Sequence, residues 1–315
     1  MKLICTMPVR NEQWCLALSA RAVLQWCDEL VIGLHACTDR SQDIALEIAS
    51  EHPDRVTIME FPETTWTEMA HRQALLETAR MRGATHIVIV DADEVLSANL
   101  LNRIRLMVSQ VPPGAILQLP WLCLRGGIDQ YHATGIWSQQ NVSTAFRDAP
   151  ELHWKAQGPE GYDFHHRHPM GRGLMPWMPL GGPAPFSPAV ASRGGLMHLQ
   201  FVSGRRLRAK QARYKLTEVL RWPGREPVHQ IDQRYNLAVY GSYDPPRDID
   251  NDAVTATLRA VPGTWWDGYA DLLRHLKPHE TPWQEAECLR LIAEHGPKRF
   301  AGLDLFGIGE SFYER

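Results

Sequence analysis

Over its first 110 residues the sequence alternates between two periods, and no other feature constrains the fold as strongly. Leu3–Met7 is a short apolar run, and Glu12–Cys27 then places Trp14, Leu18, Ala22 and Trp26 at helical spacing. Leu30–Leu34 is a second apolar run, and Ser41–Ser50 reads as a second helix. Val56–Phe61 is a third strand, bounded by Pro53 and Pro62, and Thr67–Met81 a third helix that stops at Gly83. His86–Val90 is β-branched nearly throughout, which suits a strand buried on both faces. Strand and helix alternating through short connections predict an α/β fold, a mostly parallel sheet flanked by helices.

Beyond Val111 the pattern loosens. Ala115–Leu124 reads as one more strand despite Pro120, and residues 169–195 hold 12 Pro or Gly in 27 positions, which predicts a long loop. Leu207–Leu220, Asp252–Ala260, Tyr269–Leu276 and Trp283–Glu294 read as helices, the last led by Pro282. The expected organisation is a core over 1–124, a region over 125–235 that shapes and closes the site, and a helical region over 236–315.

Composition sets limits on the function classes. The 315 residues carry 33 basic and 36 acidic side chains, a balance that argues against a dedicated nucleic-acid coat or a polybasic membrane binder. No apolar run is long enough to span a bilayer, and only a short apolar stretch precedes Arg10, so the expected setting is cytoplasmic. Six cysteines without a CxxC pair predict reduced thiols and neither a disulfide frame nor a zinc site. The charge is segregated: residues 1–100 hold 8 basic against 15 acidic residues, and residues 193–234 hold 10 against 3.

In an open parallel sheet, ligands bind beyond the carboxyl ends of the strands. Each strand here runs into a polar cluster: Pro8-Val9-Arg10-Asn11-Glu12, His35-Ala36-Cys37-Thr38-Asp39, Glu63-Thr64-Thr65-Trp66 and Asp91-Ala92-Asp93-Glu94. Two carboxylates one residue apart, just past a buried strand, can share a hard divalent cation such as Mn²⁺ or Mg²⁺. No glycine-rich fingerprint follows the first strand and no GxxxxGK[ST] occurs, so dinucleotide-binding and P-loop readings lack a phosphate cradle.

These clusters carry a resemblance. Pro8-Val9-Arg10-Asn11-Glu12 resembles the PxxNE opening of glycosyltransferase family 2, whose fold is GT-A. Cys37-Thr38-Asp39-Arg40-Ser41 sits at that family's acidic turn, Ala70-His71-Arg72-Gln73-Ala74 resembles its ARN helix, and Asp91-Ala92-Asp93-Glu94 its DxD. The match spans residues 1–100, with Gln73 in place of the usual Asn and Arg10 where many members carry Tyr. The resemblance implies a GT-A-like core that binds a nucleotide-diphosphate sugar, with a UDP-sugar favoured. Pro8, Arg10 and Glu12 would line the nucleoside pocket and Asp39 would bind the base. Arg72 would lie near the donor sugar or diphosphate. Asp91 would touch the ribose or a metal-bound water, and Asp93 the metal.

A looser resemblance continues beyond. Gly195-Leu196-Met197-His198 followed by a basic run implies His198 as a third metal ligand, with Arg205 and Lys210 beside the leaving diphosphate. Glu160 is the positional match for the base of an inverting transfer, with Glu151 and Asp163 as rivals. His165-His166-Arg167-His168 reads as a loop turn or acceptor contact rather than a metal site, and Trp121, Trp137, Trp154 and Trp177 fall in the expected acceptor region. The implied activity is a metal-dependent glycosyltransferase whose acceptor is a glycan, a peptide, a small molecule or a modified DNA base. The rival readings are a nucleotidyltransferase acting on a sugar phosphate and a non-catalytic nucleotide-sugar-binding protein.

Overall fold

A computed structural model describes residues 1–65, 67–134, 136–138, 140–155, 167–171, 173–179, 193–241 and 258–312. The chain forms two compact units: Met1–Cys123, His132–Leu199 and Val261–Lys277 make the first, and Leu124–Tyr131, Gln200–Ala260 and Pro278–Arg315 the second.

The first unit opens with β1 (Leu3–Val9), α1 (Leu16–Val23), β2 (Glu29–His35), α2 (Ser41–Glu51), β3 (Val56–Phe61), α3 (Glu68–Met81) and β4 (His86–Ile89). Then come β5 (Glu94–Leu96), α4 (Leu101–Ser109), β6 (Ala115–Arg125), β7 (Gln130–His132), β8 (Asn141–Arg147), β9 (Met175–Trp177) and β10 (Leu196–Phe201), with most of β7 and the last two residues of β6 and of β10 belonging to the second unit. The strands β1 to β4 are parallel in the order β3-β2-β1-β4, and β8 is inserted antiparallel between β4 and β6. The sheet is mostly parallel and flanked by helices.

Side-chain alternation explains why both faces are covered. Leu3, Cys5, Met7 and Val9 of β1, with Leu30, Ile32 and Leu34 of β2, pack under α1, α2 and α4. Ile4, Val31, Ile87 and Ile89 point the other way, against Met69, Leu75, Leu76 and Ala79 of α3. A strand buried on both sides needs this near-continuous apolar run, because successive side chains face opposite layers. Pro120 does not end β6: the register shift falls between Leu117 and Gln118, and the strand runs on to Arg125.

The second unit is built on α5 (Gly204–Arg221), α6 (Val228–Tyr240) and α7 (Trp283–His295). Ala212, Leu216, Ile231, Cys288, Ile292 and Phe300 form its core. One helix expectation fails, and another fails over the part of it that is described. Leu258–Ala260 is a strand, β11, joined to β7, and the remainder of 252–260 lies outside the described residues. Tyr269–Leu276 forms only tight turns, with a single 3₁₀ turn at Leu273–His275. Most of its amide bonds reach three residues back, as in Leu272 to Tyr269 and Leu276 to Leu273, with one four-residue bond from Leu273 to Tyr269.

Among the described residues no helix is long and apolar enough to cross a membrane. No disulfide joins any of the six cysteines.

Candidate functional site

The polar clusters lie where β1 to β4 end, and two networks hold them. The first ties together the loops after β1, β2 and β3. Asn11 is buried with φ of 56°, and Ala36 has φ of 39°, so both turns use the left-handed region. Asn tolerates this conformation better than most residues because its short polar side chain bonds locally. Here its Oδ1 accepts from the backbone N–H of Thr38 at 2.6 Å and of Asp39 at 3.2 Å. Asp39 in turn accepts from the Gln13 amide at 3.0 Å and the Ser41 amide at 2.9 Å, and Ser41 Oγ accepts from the Glu12 amide at 2.8 Å. Asp39 thus sits at the N-terminal end of α2, where a carboxylate suits the helix dipole. The Glu12 carboxylate accepts from Trp14 Nε1 at 2.6 Å, and Pro8 lies in β1 opposite Gly33.

Arg10 reaches both other loops. Its Nη1 lies 3.3 Å from His35 Nδ1 and donates to the Thr64 carbonyl at 3.3 Å. Burial, then the charges of Arg10 and His71, lower the His35 imidazole to about 4. Neutral His35 can therefore accept from Arg10 at Nδ1 while its Nε2 donates to the Glu63 carbonyl 2.6 Å away. His71 stacks on Phe61 with centroids 4.3 Å apart and lies tilted against His35 at 4.7 Å. The sequence reading gave no role to His35, His71 or Asn11.

The second network surrounds the acidic turn after β4. Arg72, 4% exposed on α3, donates Nε to Glu68 at 2.8 Å and Nη2 to Asp91 Oδ1 at 3.0 Å. Burial works against the charge on Arg72, but Asp91 and Glu68 hold its pKa above the ordinary value. Glu94, fully buried, accepts from the Asp91 amide at 2.9 Å and from Trp121 Nε1 at 2.9 Å. Burial pushes the Glu94 carboxyl up, and Arg167 pulls against that shift.

Asp93 and His198 meet from distant parts of the chain. Strand β10 pairs antiparallel with β5 so that His198 lies opposite Glu94, and the Leu199 amide donates to the Asp93 carbonyl at 2.8 Å. The His198 Nε2 then stands 3.3 Å from Asp93 Oδ2, and the ring stacks on Trp121 with centroids 4.4 Å apart. Gly195 makes this approach achievable, because a Cβ there would lie 2.2 Å from the Pro120 carbonyl oxygen. The same glycine exchanges backbone and hydroxyl bonds with Ser97 at 2.9 Å.

The expected residues are therefore distributed unevenly. Arg10, Glu12 and Asp39 share one network; Arg72 meets Asp91, and Asp93 meets His198. Arg205 and Lys210 are on α5 in the second unit, where Arg205 forms a bidentate pair with Glu285 at 2.6 Å. Much of the surrounding basic run is occupied as well: Arg206 donates to the Pro278 and Glu280 carbonyls, and Arg213 lies over Trp283. Glu160 and Asp163 lie outside the described residues, as do His165 and His166, and Glu151 is exposed. Trp121 is a site residue, bridging Glu94 and His198, whereas Trp154 is core against Phe146.

Among the described residues no three His, Cys, Asp or Glu groups converge on one point. A metal here would draw at most two protein ligands from them and complete its shell from elsewhere. Asp93 and His198 have suitable chemistry, a hard oxygen and an imidazole. Asp91 fits less well, because each of its oxygens already accepts from a guanidinium.

No family model and no curated protein matches this chain. Among solved structures it is similar to S. aureus TarS, with 11% identity over 95% of this chain and 54% of that one, at a TM-score of 0.40. It is also similar to the mannosyltransferase PcManGT from Pyrobaculum calidifontis in complex with GDP-Man and Mn²⁺, with 14% identity over 93% and 86% of the chains and a TM-score of 0.37. A third is 4-diphosphocytidyl-2C-methyl-D-erythritol synthase, with 20% identity over 46% and 74% and a TM-score of 0.32. The chain spans about half the length of the TarS structure. Likeness at this level carries no argument about activity.

Proposed function

We propose that the first unit binds a nucleotide-diphosphate sugar and transfers the sugar to an acceptor, a glycosyltransferase reaction assisted by a divalent metal. The observation that carries this is the pairing of Asp93 with His198, 3.3 Å apart, beside an acidic turn at the carboxyl edge of a parallel sheet. The motif order over residues 1–100 supports it independently.

In this reading Arg10, Glu12 and Asp39 face the nucleoside, and Arg10 is pre-positioned by His35 and Thr64. Arg72 serves the donor diphosphate or sugar. Only two of its five N–H donors have partners among the described residues, so the others can meet phosphate oxygens. Asp93 and His198 would hold Mn²⁺ or Mg²⁺. When bound, the ion would neutralise charge on the departing nucleoside diphosphate. The donor class is proposed as a UDP-sugar.

The test is a thermal-shift screen of UDP, GDP, CDP and dTDP, each with and without Mn²⁺. A nucleotide that binds only the folded protein, at ~100 times its dissociation constant, adds about 2.7 kcal/mol of stability. A metal-dependent shift, largest for UDP, is the expected result. No shift by any of the four nucleotides in the presence of metal overturns the donor-site reading.

A further inference from the structure

The His-rich segment before the long loop, expected to be a loop turn or acceptor contact, contains Arg167, whose contacts are of another kind. Arg167 bonds Nε to the Ser143 carbonyl at 2.9 Å and Nη2 to the Ile89 carbonyl at 3.1 Å. Its Nη1 reaches Asp91 Oδ2 and Glu94 Oε1, both at 2.9 Å, and its Nη2 reaches Glu94 Oε2 at 2.5 Å. A guanidinium has five N–H donors, and these five contacts use all of them. The two carbonyls belong to β4 and β8, neighbouring strands of one sheet, so the fork is seated in the scaffold as well as on the carboxylates.

This saturation decides between two roles. An arginine that clamps a substrate phosphate must keep donors for it, and Arg167 keeps none. It carries a positive charge between two carboxylates of an acidic turn, where a divalent cation would otherwise bridge. Taking a carboxylate out of water is costly without a partner, and holding half-buried Asp91 beside fully buried Glu94 costs more still. Arg167 supplies the compensating charge without any ion.

We propose that Arg167 is a positioning residue, a built-in counter-cation that holds Asp91 and Glu94 in place and keeps a divalent ion off Asp91. Asp91 then serves the two arginines, and the ion falls to Asp93 and His198. This deepens the donor-site reading and rests on it for its functional meaning, but its test needs neither nucleotide nor turnover.

The experiment is a titration with Mn²⁺ alone, followed by the paramagnetic resonance signal of the free ion, on the full chain. Removing a unit charge within hydrogen-bonding range of two carboxylates is expected to tighten Mn²⁺ binding at least ~10-fold in Arg167→Met. Arg167→Lys, which restores the charge, should return binding to within about threefold of wild type. Adding Asp91→Asn to Arg167→Met should remove the gain, since the new affinity is routed through Asp91. If Arg167→Met does not fold, Arg167→Gln, which removes the charge but keeps hydrogen-bond donors for the Ser143 and Ile89 carbonyls, should show the same gain. Folded variants that bind Mn²⁺ no more tightly than wild type overturn the proposal, as does a gain that survives Asp91→Asn. The two readings fail separately. Nucleotide shifts in wild type without a Mn²⁺ gain in the variants remove the role of Arg167 alone. A Mn²⁺ gain without any nucleotide shift removes the donor site alone.

Discussion

Lys215 in the second unit and Arg72 in the first are both buried cations, and the difference between them separates structure from chemistry. Lys215 is fully buried on α5, and its ammonium donates to Asp232 Oδ1 and Asn236 Oδ1 at 2.7 Å and to the Asp304 carbonyl at 2.6 Å. An ammonium has three donors, so this knot is closed. Phe306 covers it from 4.1 Å. Arg72 is buried to a similar degree, yet two bonds among the described residues leave most of its guanidinium unused. Around it, among the described residues, Glu68 and Asp91 bond Arg72, and Asp91 and Glu94 bond Arg167. A saturated buried ion pins helices together, whereas one with donors to spare can take up a ligand.

Breaking both cations tests this contrast. Lys215→Met strands Asp232 and should cost about 3 kcal/mol in urea unfolding, in the range for removing one partner of a buried pair. It should leave nucleotide-induced shifts of the first unit unchanged. Arg72→Met should lose about as much stability and also lose the nucleotide shift. If Lys215→Met abolishes nucleotide binding, the division of labour is wrong.

A smaller effect sharpens the role of the left-handed turn. Asn11→Ala gives up bonds to two amides and adds left-handed strain, for about 2 kcal/mol by chemical denaturation. Asn11→Gly loses the same bonds without the strain and should cost about 1 kcal/mol less.

The smallest effect is a pH dependence. His35 is held near 4 in the fold, against an ordinary value near 6.5. The unfolded chain therefore binds a proton first as pH falls, so stability is full above about 6.5 and declines towards 4. His35→Asn should flatten that part of the profile, as read from melting temperatures at pH 7 and pH 5. An equal decline in both proteins would contradict the assignment.

What the sequence disclosed divides along the same physical line. Strands β1 to β4 and their helices were legible to within a few residues, because burial on two faces writes itself into local periodicity. Asp93 and His198 could be named from motifs, but their separation of 3.3 Å depends on the register of β10 against β5. Arg167 was legible only as part of a histidine-rich loop. Its five bonds reach β4, β8 and the acidic turn, and no local spacing encodes such contacts. Trp121 was hidden for the same reason, since its link from Glu94 to His198 crosses three strands. The basic run over 193–234 looked like half of a phosphate site by charge alone. Arg205, Arg206, Arg213 and Lys215 have partners inside the second unit. Tyr269–Leu276 had helical spacing, yet it closes as successive tight turns.

The most direct test of the central claim is release of nucleoside diphosphate from UDP-sugars in the presence of Mn²⁺, compared between wild type and Asp93→Asn, with melting temperatures measured alongside. Donor hydrolysis requires no knowledge of the acceptor. Asp93→Asn should keep its melting temperature within a few degrees and lose at least ~100-fold of the wild-type rate, as for an interaction made mainly in the transition state. A folded Asp93→Asn protein that hydrolyses the donor at the wild-type rate would contradict the account.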